Sequence, residues 1–226
     1  MKTSRFIAFD GNVYTGKTSI INALASIGNF SVINEHSSFL EHEYEIQLIE
    51  TGEDARIQQS KYLDAEIRRM PKTQDPMIYL VDRSYVSMAA HVTAMKSVFG
   101  LDIREWFFGE VSALIQNKRI IVPDVYCHIN CCSTRTHERF LADQNRRTES
   151  FYRNEKYLVA VNEFNHAWSH YAESISINTD MMSPDKLAEE FMAFRLIHTQ
   201  NESSTDYVCK CLREILFMET ISEEDQ

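Results

Sequence analysis

The chain has 226 residues, 44% of them hydrophobic and 25% charged, with a formal net charge of −10. That is enough for one α/β domain with a substantial core and a helical appendage. The acidic balance argues against a nonspecific grip on nucleic acid, and no apolar run approaches the roughly 20 residues needed to cross a bilayer.

Met1 to Arg5 leads straight into an apolar run, which leaves no room for a signal peptide, so the expected location is cytoplasmic. Phe6 to Phe9 suits a buried parallel strand, and Thr18 to Ile27 carries Ile20, Ile21, Leu24 and Ile27 at helical spacing. Between them lies Gly11-Asn12-Val13-Tyr14-Thr15-Gly16-Lys17-Thr18-Ser19, which reads G-x-x-x-x-G-K-T. A strand entering a Gly-bounded loop that opens into a helix points main-chain N–H groups inward, and the helix N-terminus adds positive potential. Such a loop cradles a polyphosphate: Lys17 would reach its transferred end, and Thr18 would turn its hydroxyl toward Mg2+.

Gly28-Asn29 stops the helix, and Phe30 to Ile33 reads as a second strand ending at Asn34-Glu35-His36. Residues 42–70 are expected to be helical with a break near Thr51-Gly52, with Ile57, Tyr62, Leu63 and Ile67 on an apolar face and Arg56, Lys61, Arg68 and Arg69 on a basic one. After a loop from Pro71 to Pro76, Met77 to Val81 is a continuous apolar strand, buried on both faces, that runs into Asp82-Arg83-Ser84. Residues 85–118 form two helical segments parted near Gly100, and a strand follows over Ile120 to Asn130 with its core at Val125 to Ile129. The polar segment 133–149 carries Arg135, Arg139, Arg146 and Arg147. A long helix over Tyr152 to Tyr171, a strand over Ser174 to Ile177 ending at Asn178-Thr179-Asp180, and a helix over Asp185 to Ile197 behind Pro184 complete the pattern.

Apolar strands alternating with helices predict a parallel sheet covered on both faces, here over residues 1–198. Residues 199–226 are a linker, a short amphipathic helix (Tyr207, Cys211, Ile215, Leu216) and an acidic tail; the helix packs on its own domain or serves a dimer contact. Five cysteines without a secretory signal are expected to be reduced thiols, and their spacing lacks the C-x2-C of a metal site.

Ligands of such sheets bind beyond the carboxyl ends of the strands, where Gly11, Glu35, Arg83 and Asp180 fall. Phosphoryl transfer is mostly positioning and charge neutralisation, and each part has a candidate. Glu35 is placed to accept a proton from an acceptor hydroxyl, Asp82 to hold a Mg2+-bound water, and Arg83 to grip the acceptor's 5′ end or a donor phosphate. The segment 133–149 reads as a basic lid over bound nucleotide, with Arg146 and Arg147 supplying charge at the moment of transfer.

The order of Gly11-Asn12 to Thr18, Glu35 after the second strand, Asp82-Arg83-Ser84 after the third, and an Arg-rich segment before Tyr157-Leu158 resembles the deoxynucleoside kinase and thymidylate kinase superfamily. The resemblance spans about residues 5–197 and implies a five-stranded parallel sheet, ATP and Mg2+, a nucleoside or nucleoside monophosphate acceptor, and a homodimer. It places Arg139 and Asp180 with the phosphate loop at the ATP site, and Gln58, Tyr62, Arg83 and Glu149 at the acceptor. Gly11-Asn12 and Arg83-Ser84 are closer to the deoxynucleoside kinases, and Asn34 stands where thymidylate kinases usually carry Arg. The chain departs from the pattern at His36, where both branches usually have Pro, at Asp82 in place of Glu, and at Met88 in place of an acidic residue. Three readings follow: a deoxynucleoside kinase, a thymidylate-type monophosphate kinase, or a non-catalytic nucleotide-binding regulator. A guanine-nucleotide switch is disfavoured, since Asn117-Lys118-Arg119-Ile120 lacks the Asp that would read the base.

Overall fold

The computed structural model describes residues 5–40, 49–71, 77–143, 154–172, 174–195 and 204–218. Five strands, β1 (Arg5–Asp10), β2 (Ser31–Ile33), β3 (Ile78–Asp82), β4 (Val125–Asn130) and β5 (Ile175–Asn178), form one sheet in the order β2-β3-β1-β4-β5. Every pairing is parallel. The connecting helices are α1 (Lys17–Ile27), α2 (Gly52–Arg68), α3 (Tyr85–Phe99), α4 (Arg104–Gln116), α5 (Ser133–Ala142), α6 (Glu155–Tyr171), α7 (Pro184–Arg195) and α8 (Thr205–Leu216).

Alternation along the strands divides the core in two, because successive side chains point to opposite faces. Ile7 and Phe9 of β1, Leu80 of β3 and Cys127 and Ile129 of β4 pack under α1 and α7. Ala8, Val81, Tyr79 and Tyr126 face the other way, under α3 and α6, with α2, α4 and α8 around them. The sheet is therefore covered on both faces, as its nearly continuous apolar strands require. Helix α3 is buried on most sides, and Ala89, Ala90 and Ala94 keep it slim enough to lie close between the sheet and its neighbours. The connection from β1 covers one face and the connection from β3 the other, so the adjacent ends of β1 and β3 (Phe9 pairs with Asp82) frame the crevice.

Several boundaries differ from the sequence expectation. The break expected near Thr51-Gly52 falls where α2 starts, with Thr51 and Asp54 forming a reciprocal capping box, and residues 42–48 of the expected helical stretch lie outside the described residues. Ile57, expected on the apolar face of α2, is exposed, while Arg69, expected on the basic face, is buried. The physical reason is that the buried stripe runs through Ala55, Gln59, Leu63, Glu66 and Arg69 and so carries polar residues, of which Glu66 and Arg69 pair with each other. Cys131 lies just past β4, and the strand begins at Val125 rather than Ile120. A short 3-10 turn, His36–Phe39, follows β2.

Helix α8 packs on α4 and α6 of its own chain and buries Val208, Cys211, Leu212, Ile215 and Leu216 in the larger core. Tyr207 is exposed, and its hydroxyl donates to the Tyr171 carbonyl at 2.7 Å. Arg104 donates to the Leu216 carbonyl at 2.8 Å, placing a cation at the C-terminus of α8. Among the described residues no helix is long and apolar enough to cross a membrane. Truncating Leu212, which is fully buried, to Ala is expected to destabilise the protein by about 2–5 kcal/mol in equilibrium urea unfolding. Lys210→Ala on the outer face of the same helix should change it by less than about 0.5 kcal/mol.

Candidate active site

The loop between β1 and α1 is shaped by backbone demands that only glycine meets at its start. Gly11 has φ +147°, and a Cβ there would stand 2.2 Å from the Ile129 carbonyl oxygen on β4. Gly16, at φ +94°, precedes the first turn of α1. The rest is tied down by side chains. Asn12 donates to the Leu158 carbonyl and to Asn162 Oδ1, both at 3.1 Å, fastening the loop to α6, and its own Oδ1 accepts the Val13 N–H. Thr15 donates through its hydroxyl to the Asn12 carbonyl at 2.9 Å.

Lys17 is buried at the foot of this loop, where its ammonium donates to the Asn12 carbonyl and, at 3.4 Å, to Thr15 Oγ1. No carboxylate lies within ion-pair distance of it among the described residues. Burial, reinforced by the charge of Arg83, lowers its pKa to about 7 against the pull of Asp82, Asp10 and Glu35. Thr18 and Ser19, one step on, are exposed at the start of α1.

Thr18 donates to Asp82 Oδ2 at 2.6 Å, which brings together the two residues expected at a metal. The other oxygen, Asp82 Oδ1, is buried with no hydrogen-bond partner among the described residues. A hydroxyl beside a carboxylate with one uncommitted oxygen is the hard-oxygen donor set that Mg2+ uses, so these residues fit the ion.

Of the candidates Arg139 and Asp180, Arg139 braces the loop from outside, while Asp180 bonds the head of α5. Arg139 donates to the Tyr14 carbonyl and to Thr179 Oγ1, each at 3.1 Å, and Thr179 donates in turn to the Thr15 carbonyl at 2.7 Å. Asp180 accepts the Cys132 N–H at 2.7 Å at the head of α5, and that bond holds its carboxyl at about 2. Tyr14 reaches Asp143 through its hydroxyl at 3.1 Å, joining the loop to the end of α5. Arg135 is on the exposed side of α5, paired with Glu138. The candidates Arg146, Arg147 and Glu149 lie outside the described residues.

On the opposite wall, Arg83 and Glu35 meet, with Arg83 Nε 3.3 Å from Glu35 Oε2. Both remain open to the crevice, with 21% and 46% of their side chains exposed. Partial burial pushes the Glu35 carboxyl up, but Arg83, the Ser37 hydroxyl and Lys17 outweigh it and hold the carboxyl below its ordinary value. Arg83 has φ +64°, a left-handed conformation that costs a non-glycine residue of order 1–3 kcal/mol. The conformation is held by Asp10, a residue to which the sequence reading assigned no role. Its carboxylate accepts the Ser84 N–H at 2.8 Å and the hydroxyls of Ser84 and Ser87 at 2.7 and 2.6 Å, and so holds Ser84, whose Oγ caps α3 by accepting the Val86 N–H. The signal was a lone carboxylate directly before the loop, opposite a serine at a helix start.

Of the acceptor candidates on α2, Gln58 is buried and Tyr62 stands half-buried, edge-on to the His36 ring. The neighbouring Gln59 went unnoticed, although it is 1% exposed and both its amide atoms lack partners among the described residues. Met88 is buried in α3.

No family model and no curated protein sequence matches this chain. Solved structures do. A deoxyadenosine kinase from M. mycoides with bound dATP is 14% identical, with a TM-score of 0.64, over 84% of this chain and 98% of that one. The same enzyme with the products dCMP and a flexible dCDP bound gives a TM-score of 0.61 at 14% identity, over 84% and 97% of the two chains. Thymidylate kinase from Candida albicans is 9% identical, with a TM-score of 0.60, over 86% of this chain and 92% of that one. The chain has the deoxynucleoside and thymidylate kinase fold.

A polyphosphate held in this loop would bind with proton uptake, because burial lowers the Lys17 pKa to about 7. Above pH 7 the free ammonium has largely lost its proton, and a bound polyanion restores it. At about pH 8.5 the binding of ATP is therefore expected to take up about one proton per site, and below pH 6 about none. Calorimetry in buffers of different ionisation enthalpy measures this uptake, which should vanish in Lys17→Met.

Proposed function

We propose that this protein transfers the γ-phosphoryl group of ATP to the 5′-hydroxyl of a deoxynucleoside. The observation that carries the reading is the Glu35–Arg83 pair, ionised and open to the crevice, across from a buried lysine in a loop of main-chain amides. The likeness of fold to deoxyadenosine and thymidylate kinase structures supports the same reaction class.

In this reading the loop amides of residues 11–18 and Lys17 hold the β- and γ-phosphates. Glu35 accepts the proton of the 5′-hydroxyl as the new oxygen–phosphorus bond forms. The bond from the γ-phosphorus to the bridging oxygen breaks, and that oxygen leaves on ADP. Arg83 offsets charge on the transferred phosphoryl, with Arg146 and Arg147 assigned the same task. Thr18 and Asp82 hold Mg2+, which when bound neutralises charge on the β- and γ-oxygens. Gln58, Tyr62 and Glu149 are assigned to the acceptor, and the proposal includes a cytoplasmic location and a homodimer.

A monophosphate acceptor would need more positive charge than a nucleoside. Asn34 precedes Glu35, and Arg69, one of the cations available for such a phosphate, is enclosed in the protein with its guanidinium on three carbonyls. That observation favours the nucleoside.

An ADP-release assay across deoxynucleosides and nucleoside monophosphates tests the assignment. Turnover with at least one deoxynucleoside is expected; turnover with monophosphates alone would assign the thymidylate-type reaction, and none at all a non-catalytic nucleotide-binding role. Glu35→Gln is expected to keep its affinity for ATP while turnover falls by about 10²–10⁴-fold, the range a general base supplies.

A further inference from the structure

Resting on the reading just given, we propose that His36, Glu66 and Arg69 form a buried positioning network that fixes the catalytic pair Glu35 and Arg83 in place from behind. The pairing of β2 with β3 ends at Ile33 and Val81, so the carbonyls beyond it lose their ladder partners just where the two functional side chains emerge. Arg69 fills that gap. Its guanidinium donates to the Asn34 carbonyl at 3.2 Å, to the Asp82 carbonyl at 3.1 Å and to the Arg83 carbonyl. One side chain thereby ties the residue before Glu35 to both residues that set the course of Arg83.

Glu66 completes the device. Its Oε2 lies 2.7 Å from Arg69 Nη2 and 2.6 Å from His36 Nε2, and both the Arg69 and Glu66 side chains are wholly buried. The residue after Glu35 is thus tied to the same carboxylate. Burial, helped by the nearby Arg69, holds the His36 imidazole below its ordinary pKa, so the neutral ring donates from Nε2 and the network carries no net charge.

Stability alone is a poor explanation for these three groups. A buried ion pair gains little over well-packed apolar residues once desolvation is counted. This one also leaves Glu66 Oε1 and Arg69 Nε without hydrogen-bond partners among the described residues. What the network does supply is geometry: the Glu35–Arg83 contact at 3.3 Å lies beyond the last ladder pair, Ile33 with Val81, where Arg69 bridges the carbonyls of both strand ends.

The test is steady-state kinetics of His36→Leu, His36→Gln and the double variant Glu66→Leu/Arg69→Met, with ATP and the best deoxynucleoside. His36→Leu removes the donor to Glu66, and His36→Gln restores one. The double variant removes both buried charges together, which buried pairs tolerate. His36→Leu and the double variant are expected to lose kcat by about 10²-fold, the effect of a displacement near 1 Å, while the KM for ATP stays within about twofold and His36→Gln recovers most of the rate. Unchanged kcat in folded His36→Leu, or a loss shared equally with ATP affinity, overturns the proposal. A crystal structure of each variant gives a readout independent of turnover. An opened Glu35–Arg83 contact supports the network and an unchanged one overturns it, whereas a parent protein silent toward every acceptor overturns the kinase reading instead.

Discussion

A buried ammonium with no carboxylate against it among the described residues is the constraint around which this molecule is arranged. Lys17 is held by one main-chain carbonyl and one hydroxyl, so its charge is poorly compensated until an anion enters the loop. Such a site stays open only if the loop cannot collapse onto the lysine. Several ties hold the loop from outside: Asn12 to α6, Tyr14 to the end of α5, and the carbonyls of Tyr14 and Thr15 to Arg139 and Thr179. Within the loop the Asn12 carbonyl is taken by Lys17 and the Thr15 hydroxyl.

The second wall obeys the same logic at the neighbouring strand ends. Where parallel strands stop pairing, their last carbonyls need donors and their side chains need a fixed direction. Arg69 supplies the donors between β2 and β3, and Asp10 sets the direction of the chain into α3 by accepting from Ser84 and Ser87. The positive φ of Arg83 lies between these two anchors, and the strain is tolerated because both its N–H and its carbonyl are engaged, the N–H on Phe9 and the carbonyl on Arg69.

The elements legible in the sequence were those whose signal is local. Strands written as unbroken apolar runs, the G-x-x-x-x-G-K-T loop and the Ser84 start of α3 needed no knowledge of distant residues. Thr18 and Asp82 were assignable to one site because Thr18 closes the loop that follows β1 and Asp82 ends a strand, and they meet through a hydrogen bond. Arg69 was misread because helical periodicity identifies a polar face only when polar residues are solvated. Here the buried stripe of α2 is itself polar, satisfied by a histidine and by carbonyls more than ten residues away. Asp10 was passed over for a similar reason, since its partners are the serines of α3, brought close only by the pairing of β1 with β3. His36 stood out only as a departure from a pattern, and its meaning depended on Glu66, 30 residues on.

The charge around the crevice bears on the acceptor as well as the donor. Among the described residues, Lys17 and Arg83 face Glu35, Asp82 and Asp10, and Asp10 is already neutralised by the head of α3. What remains is close to balanced before any nucleotide enters. A triphosphate would bring several negative charges into that balance, which is why the buried, unpartnered Asp82 oxygen and the Arg-rich segment after α5 matter: a divalent ion and added guanidiniums would be the further sources of positive charge. A phosphate on the acceptor would add further negative charge beside Glu35, on the wall where Arg69 is turned inward and Asn34 is neutral. A neutral nucleoside would add none, and in the proposed reading its hydroxyl would meet a carboxylate that Arg83 helps to keep ionised.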